Sequence, residues 1–414
     1  MYWHSLKQAN ETALIKLADS FNASQHDVQV TLKSEGSNEE ILTKYKGVAG
    51  SDSAPDLFSQ NETNLQQMID SNAIVPAQAC LTATHSNVDD LLDRVRGYYT
   101  VSGALWATPF NVSQPVLLYN KTAFRNAGLD PDHAPTSLEA LAAAAKTLQA
   151  KGGYKFVFQY KRDVWVLEQF LSLAGEPYVD HDNGRNGRAS KAVFDTPTAK
   201  KVLAALQDLV KSGVATSNPD GGPEGFSNLL GICNGDNAMT IDSSGVLGTA
   251  YDTLAKGQCK VKVDVGVAPL PLPDGPGKGG TLIGGGANYI ARPSDPNSPK
   301  VLAAFRFAQY LISAQSQAEF AAATGYIPIS KAAANVAVLQ QVWTDKPGYK
   351  VAYDQLANGV RNVATEGPLI GSYSDVRKAI RTALEALLID KKDPAAVLAD
   401  AITAANEAIA RYHP

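Results

Sequence analysis

The segment Ala238-Met239-Thr240-Ile241-Asp242-Ser243-Ser244-Gly245 places small hydroxyl residues where an apolar, strand-like run turns into a helix beginning near Val246. A helix N-terminus carries unpaired N–H groups and a partial positive charge, so Ser243 and Ser244 there suit an anion or a sugar hydroxyl. The same residues also suit an ordinary serine cap, and the local sequence leaves both readings open. Gly284-Gly285-Gly286 permits close approach of backbone to a ligand, or simply loosens the entry to a strand. Tyr326-Ile327-Pro328, after Gly325, brings a ring and a hydroxyl to a cleft or packs a turn. With Trp3-His4-Ser5 and Trp106 these positions form a set of aromatic, hydroxyl and glycine residues. Aromatic faces cover a carbon skeleton and polar groups orient it, which fits a small polyhydroxylated ligand.

Catalytic signatures are missing. The chain holds no His-Glu-x-x-His zinc pattern, no Gly-x-Ser-x-Gly nucleophile elbow and no EF-hand spacing, and its six histidines are scattered. Lys278 in the glycine-rich Gly275–Thr281 stretch is followed by Gly279 rather than Ser or Thr, so that stretch is read as a solvated turn. Asp180-His181-Asp182-Asn183-Gly184 lacks the later acidic ligand of a calcium loop and is read as a surface turn. Glu62 and Asp242 could form the carboxylate pair of a glycan-active enzyme, but no pairing signal accompanies them. Neither a metal nor a cofactor is expected. Cys80, Cys233 and Cys259 are too few for a disulfide scaffold, although Cys233 and Cys259 flank two predicted strands and could be bridged.

These residues need elements to position them. At 414 residues the chain exceeds a typical domain of about 100–200, which argues for two domains. Its 37 basic and 41 acidic side chains leave a net charge of −4, against the concentrated positive field of a nucleic-acid or membrane-surface protein. Hydrophobic residues at 44% argue against disorder. No stretch approaches the roughly 20 apolar residues of a membrane span, and Met1-Tyr2-Trp3-His4 reads as folded sequence with no export signal.

Leu14, Leu17, Ala18 and Phe21 predict a helix, and Val28, Val30 and Leu32 a strand after it. Thr136 and Glu139 form a capping-box pattern ahead of a helix that Gly152-Gly153 stops. Val261, Val263, Val265 and Val267 predict a strand. Ser298-Pro299 and Asp393-Pro394 start two further helices, and Gly325 stops one. The architecture is mixed α/β without an obvious linker, and Asn111-Val112-Ser113-Gln114-Pro115 is a candidate crossing between domains.

In family order, the chain resembles the extracytoplasmic solute-binding component of an ABC importer, within the glycerol-3-phosphate and glycerophosphodiester branch. The resemblance is carried by Trp3-His4-Ser5, Ala54-Pro55-Asp56-Leu57, Pro109 through Lys121, Phe124 through Pro131, Gly235 through Thr240 with Ser243-Ser244-Gly245, Ile283-Gly284-Gly285 and Thr324 through Ile329. It implies an α/β, two-lobed periplasmic-binding-protein fold with an interlobe cleft, several hinge crossings and closure on the ligand. The implied lobes are residues 1–111 plus 282–326 and residues 115–281 plus 327–414. It implies Ser113, Ser244, Gly285 and Tyr326 around a phosphate, with Ser243 beside them, Glu62 accepting from glycerol hydroxyls and Trp165 as an aromatic wall. Tyr373 joins that set. The family pattern has an arginine a few residues before Gly371-Ser372-Tyr373-Ser374-Asp375-Val376-Arg377, where this chain has Leu369. Arg361 or Arg377 is left to compensate, Arg377 being read as a surface or structural residue, and the loss favours a phosphodiester such as glycerophosphocholine, or a neutral sugar, over glycerol 3-phosphate. The implied partners are a small-molecule solute and the permease transmembrane subunits, for a monomer that is periplasmic or lipid-anchored outside the cytoplasm.

Overall fold

The computed structural model describes residues 1–218, 227–273, 277–295 and 297–413. Asp274, Gly275 and Pro276 of the glycine-rich stretch lie outside the described residues. The strands are β1 (Tyr2–His4), β2 (Leu32–Ser34), β3 (Leu57–Asn61), β4 (Ile74–Val75), β5 (Thr100–Val101), β6 (Ala104–Leu105), β7 (Thr108–Ser113), β8 (Pro115–Asn120), β9 (Phe158–Lys161), β10 (Ala215–Asn218), β11 (Met239–Ser243), β12 (Val265–Pro269) and β13 (Gly284–Ala291). Two sheets dominate. One has the order β2-β1-β3-β13-β4 with β7 also on β13, and the other the order β10-β9-β11-β8-β12. Each is covered by helices, giving the two-lobed periplasmic-binding-protein fold.

The chain passes between the sheets at Gln114, the one residue separating β7 from β8, and again between β12 and β13. Strand β8 shows why the second sheet is buried on both faces. Val116 and Leu118 pack into one apolar cluster while Leu117 and Tyr119 pack into another, as period-two alternation requires. Its sequence is therefore an unbroken apolar run. The helix Ala314–Thr324 ends at Gly325 with φ +83, and Ile327 then bridges back to Val112 of β7. The helix Ala337–Asp345 packs against Ala314–Thr324, and Gly348–Ala357 packs on β12.

Three local expectations are corrected by competing hydrogen bonds. Val28 and Val30 precede β2 rather than joining it, because side-chain amides take their backbone groups. Asn22 accepts from the Val30 N–H at 2.8 Å and donates to its carbonyl at 2.9 Å. Gln25 does the same for Val28 at 2.8 and 2.6 Å. Val261 and Val263 lie outside β12, since the N–H groups of Lys260 and Val261 donate to the Cys233 carbonyl, next to the Cys233–Cys259 disulfide. The cap of helix Leu138–Gly152 is Ser137, which accepts from the Ala140 N–H at 3.0 Å, while the Thr136 carbonyl accepts from Leu272.

Two turns read as solvated are exposed only in part, at His181 and Asp182 and at Gly277 and Lys278. In the first, His181, Asp182 and Asn183 all have left-handed dihedrals and Asn183 is buried. Its Oδ1 accepts from the N–H groups of Tyr178 and Val179 at 2.7 and 3.1 Å, and its Nδ2 donates to Val363 at 2.9 Å. Asn tolerates this conformation through such local bonds. In the second, Thr281 is fully buried. Gly279 sits so close to the helix Val164–Leu173 that a methyl group on it would lie 1.9 Å from the Ser172 carbonyl oxygen.

Candidate ligand site between the lobes

Strands β1, β2 and β3 are parallel, as are β9, β10 and β11. Parallel strands end at one edge, and in open α/β sheets ligands bind outside those carboxyl ends. On the first lobe the edge carries a chain of neutral groups. Ser5 Oγ donates to Asn38 Oδ1 at 2.9 Å, and Asn38 Nδ2 to Asn61 Oδ1 at 2.6 Å. Glu62 follows in a buried 3-10 turn, Glu62–Asn64.

The corresponding edge of the second lobe carries Lys161 and Asp242, whose Nζ and Oδ1 are 3.7 Å apart. Burial holds the Asp242 carboxyl above the usual carboxylate range, opposed by the Lys161 charge. Asp163 caps Val164–Leu173 by accepting from the Trp165 N–H at 2.9 Å. That helix aims three functional side chains. The Trp165 indole lies against Gly284, where a methyl group would come within 2.3 Å of Cζ2. Glu168 turns to Arg377, and Gln169 to the crossing. Two of these, Glu168 and Gln169, are one residue apart and thus face different neighbours.

Most of the expected site residues converge on the crossings. Ser113 pairs with Gly284, and Val112 with Gly285. Gly285 has φ +96, and a methyl group there would lie 1.9 Å from the Asn111 carbonyl oxygen, so only glycine fits. The N–H of Ser244 donates to the Gln114 carbonyl at 2.8 Å, and its Oγ accepts from the Gln114 N–H at 3.3 Å. Ser243 Oγ accepts from the Gly245 N–H at 3.2 Å, the serine-cap arrangement. The Tyr326 ring packs on Gly245 and stacks on Phe320.

The charged groups gather elsewhere. Arg377, on the helix Tyr373–Leu388, is not at the surface. Its Nε and Nη2 donate to Glu168 at 3.0 and 2.6 Å, and Nη2 also to Glu62 at 3.2 Å. A first-lobe carboxylate and a second-lobe guanidinium are thus in direct contact. Burial pushes the Glu62 carboxyl up to about 7 despite the neighbouring Arg377, and it raises Glu168 for the same reason. Tyr373 is buried under the Arg377 guanidinium, which lies 4.9 Å from its ring centre. Arg361 stands apart: its side chain is 58% exposed and pairs with Glu366 at 3.2 Å. Sequence reasoning named neither Glu168 nor Gln169, and gave Gln114 only as part of the candidate crossing. The i, i+3 spacing of Trp165 and Glu168 on one apolar helix was the available signal.

With the neutral Ser5-Asn38-Asn61 chain on one edge, Lys161 and Asp242 on the other and a buried ion cluster where the lobes meet, the arrangement suits a small polar solute. The family model described as bacterial extracellular solute-binding protein matches residues 16–351. The chain belongs to this family. It is therefore a solute-binding protein of the ABC-importer type and not an enzyme. Among curated relatives, the sn-glycerol-3-phosphate-binding periplasmic protein UgpB of Yersinia pestis bv. Antiqua (strain Antiqua) is 30% identical over 99% of this chain and 92% of its own. The protein of the same name from Pectobacterium atrosepticum is 31% identical over 99% and 91%. The fold of this solute-binding chain matches UgpB from Mycobacterium tuberculosis, solved with glycerophosphocholine, at TM-score 0.82 and 19% identity, over 99% of this chain and 98% of that one. It also matches the cyclic alpha-maltosyl-1,6-maltose binding protein of Arthrobacter globiformis at TM-score 0.74 and 24% identity, over 99% and 98%. Among the described residues no helix is long and apolar enough to cross a membrane, and no cluster of His, Cys, Asp and Glu could hold a metal ion.

Proposed function

We propose that the chain captures a small glycerophosphate-type solute between its lobes, a glycerophosphodiester such as glycerophosphocholine before glycerol 3-phosphate, and presents it to permease subunits outside the cytoplasm. The supporting observation is the ion cluster where the lobes meet, with Glu62 shared between the ligand edge and Arg377. Glu62 accepts from glycerol hydroxyls. Ser113, Gly285 and Tyr326 surround the phosphate, and Trp165 covers the carbon skeleton. Ser243 and Ser244 shape that wall, since their oxygens are already engaged with Gly245 and Gln114. Arg361, exposed and paired with Glu366, and Tyr373, buried beneath Arg377, lie behind the ligand surface. The relatives' names and the glycerophosphocholine complex support the ligand class. Capture converts binding energy into lobe closure without a covalent step, and a monomer suffices for it.

A neutral saccharide is the second reading, favoured by the uncharged Ser5-Asn38-Asn61 edge. Calorimetry with glycerol 3-phosphate, glycerophosphocholine and neutral mono- and disaccharides separates them. The expected result is saturable binding of a glycerophosphate ligand, weakened about tenfold or more in Glu62→Gln, on the scale of a lost charged hydrogen bond. Binding of neutral sugars alone would remove the phosphate from the reading, and binding of none would remove the ligand class altogether.

A further inference from the structure

Two carboxylates and one guanidinium meet where the lobes touch. Glu168 takes the Nε and Nη2 fork of Arg377, the two-point arrangement by which arginine also recognises phosphate. Glu62 bonds only the shared Nη2. Burial orders the three groups: the Glu168 side chain is fully covered, whereas those of Glu62 and Arg377 remain 8% and 19% exposed. Glu168 is thus the most deeply covered of the three, and the exposure that remains belongs to Glu62 and Arg377.

We propose that Glu168 is a specificity-determining residue: by occupying the fork of Arg377 it withdraws that cation from ligand phosphate and suits the site to solutes carrying at most one negative charge. This inference rests on the reading that ligand lies beside Glu62. A phosphomonoester carries about −1.5 to −2 at neutral pH, with a second pKa of about 6. Beside two carboxylates and one guanidinium, its second charge meets repulsion that little solvent screens. A phosphodiester lacks that second charge, and a neutral sugar lacks both. Arg361 does not offset the repulsion, because Glu366 pairs with it at the exposed surface.

The test is titration calorimetry at pH 7.5 of wild type, Glu168→Gln and Glu62→Gln with glycerol 3-phosphate, glycerophosphocholine and maltose, each variant first shown to melt cooperatively. Wild type should bind glycerophosphocholine or maltose at least about tenfold more tightly than glycerol 3-phosphate. Glu168→Gln should narrow that gap by about tenfold or more, as the freed fork meets the monoester. Should Glu168→Gln fail to fold, Glu62→Gln decides: it removes the other negative charge while keeping an acceptor oxygen, and the weakened hydroxyl contact affects both glycerol ligands and cancels in their ratio. A wild-type preference for glycerol 3-phosphate, or an unchanged ratio in the folded deciding variant, overturns the inference while leaving the solute-binding site in place. Folded wild type that binds none of the three defeats the functional reading, and the inference with it.

Discussion

At the crossings the lobes are joined by neutral groups that are fully buried. Gln114 Nε2 donates to the Leu282 carbonyl at 3.1 Å, and its Oε1 accepts from Gln355 at 2.9 Å and from Thr281. Gln169 completes Leu282, donating to its carbonyl at 3.2 Å and accepting from its N–H at 2.7 Å. From Glu62 to Asp70 the lobes are joined by charges instead. Beyond the Glu62–Arg377–Glu168 cluster, Asp70 accepts from Arg188 at 3.0 and 2.7 Å and from the Tyr412 hydroxyl at 3.0 Å. Neutral amides keep every donor and acceptor matched through a small rotation, which suits a pivot. Charged contacts at partial exposure weaken with salt and pH, which suits a contact that forms and breaks.

The sharpest way to break this contrast is Arg377→Gln, which leaves two buried carboxylates unpaired. Denaturant unfolding should show a loss of about 3–5 kcal/mol, and adding Glu168→Gln should restore part of it. A second prediction concerns pH. A carboxyl raised in the folded state from its ordinary range to about 7 binds its proton more tightly folded than unfolded. The stability it contributes is present below about pH 4.5 and is lost as pH rises through about 7. The stability of wild type minus that of Glu62→Gln should therefore fall across this window, by up to about 3 kcal/mol, while the crossings contribute no such slope.

Gln114→Ala tests the neutral side. It strands the Thr281 hydroxyl and takes one of two partners from both the Leu282 carbonyl and the Gln355 amide, and should cost about 2 kcal/mol with no added salt or pH dependence. The smallest effect belongs to Asp70→Asn. Arg188 is half exposed, so stability should change by less than about 1 kcal/mol. Small-angle scattering should nonetheless show a shifted balance between open and closed lobes, and high salt should produce the same shift in wild type.

Legibility divides along the same line. The crossing at Asn111–Pro115 was readable because a proline and polar residues interrupt two apolar runs, and its residues Val112 and Ser113 do pair with Gly285 and Gly284. The charge cluster was not readable as a cluster: Glu62, Glu168 and Arg377 are separated by more than a hundred residues each, and the one local signal, Glu168 on an apolar helix, does not name its partners. Arg377 lies on a strongly two-faced helix, where a charge is ordinarily solvated. The misplaced strand ends at Val28 and Val261 share one cause, a nearby acceptor or amide that outcompeted the ladder.

Periodicity and capping residues determined the α/β alternation and the helix at Pro394–Ala410, because each depends on neighbours within a few residues, whereas the need for glycine at 285 comes from the distant Asn111 carbonyl. Tertiary structure decided which side chains carry charge at the lobe contact and which are spent on the crossings. Burial and pairing are properties of what the chain brings together, and electrostatic consequences follow from that assembly rather than from residue type.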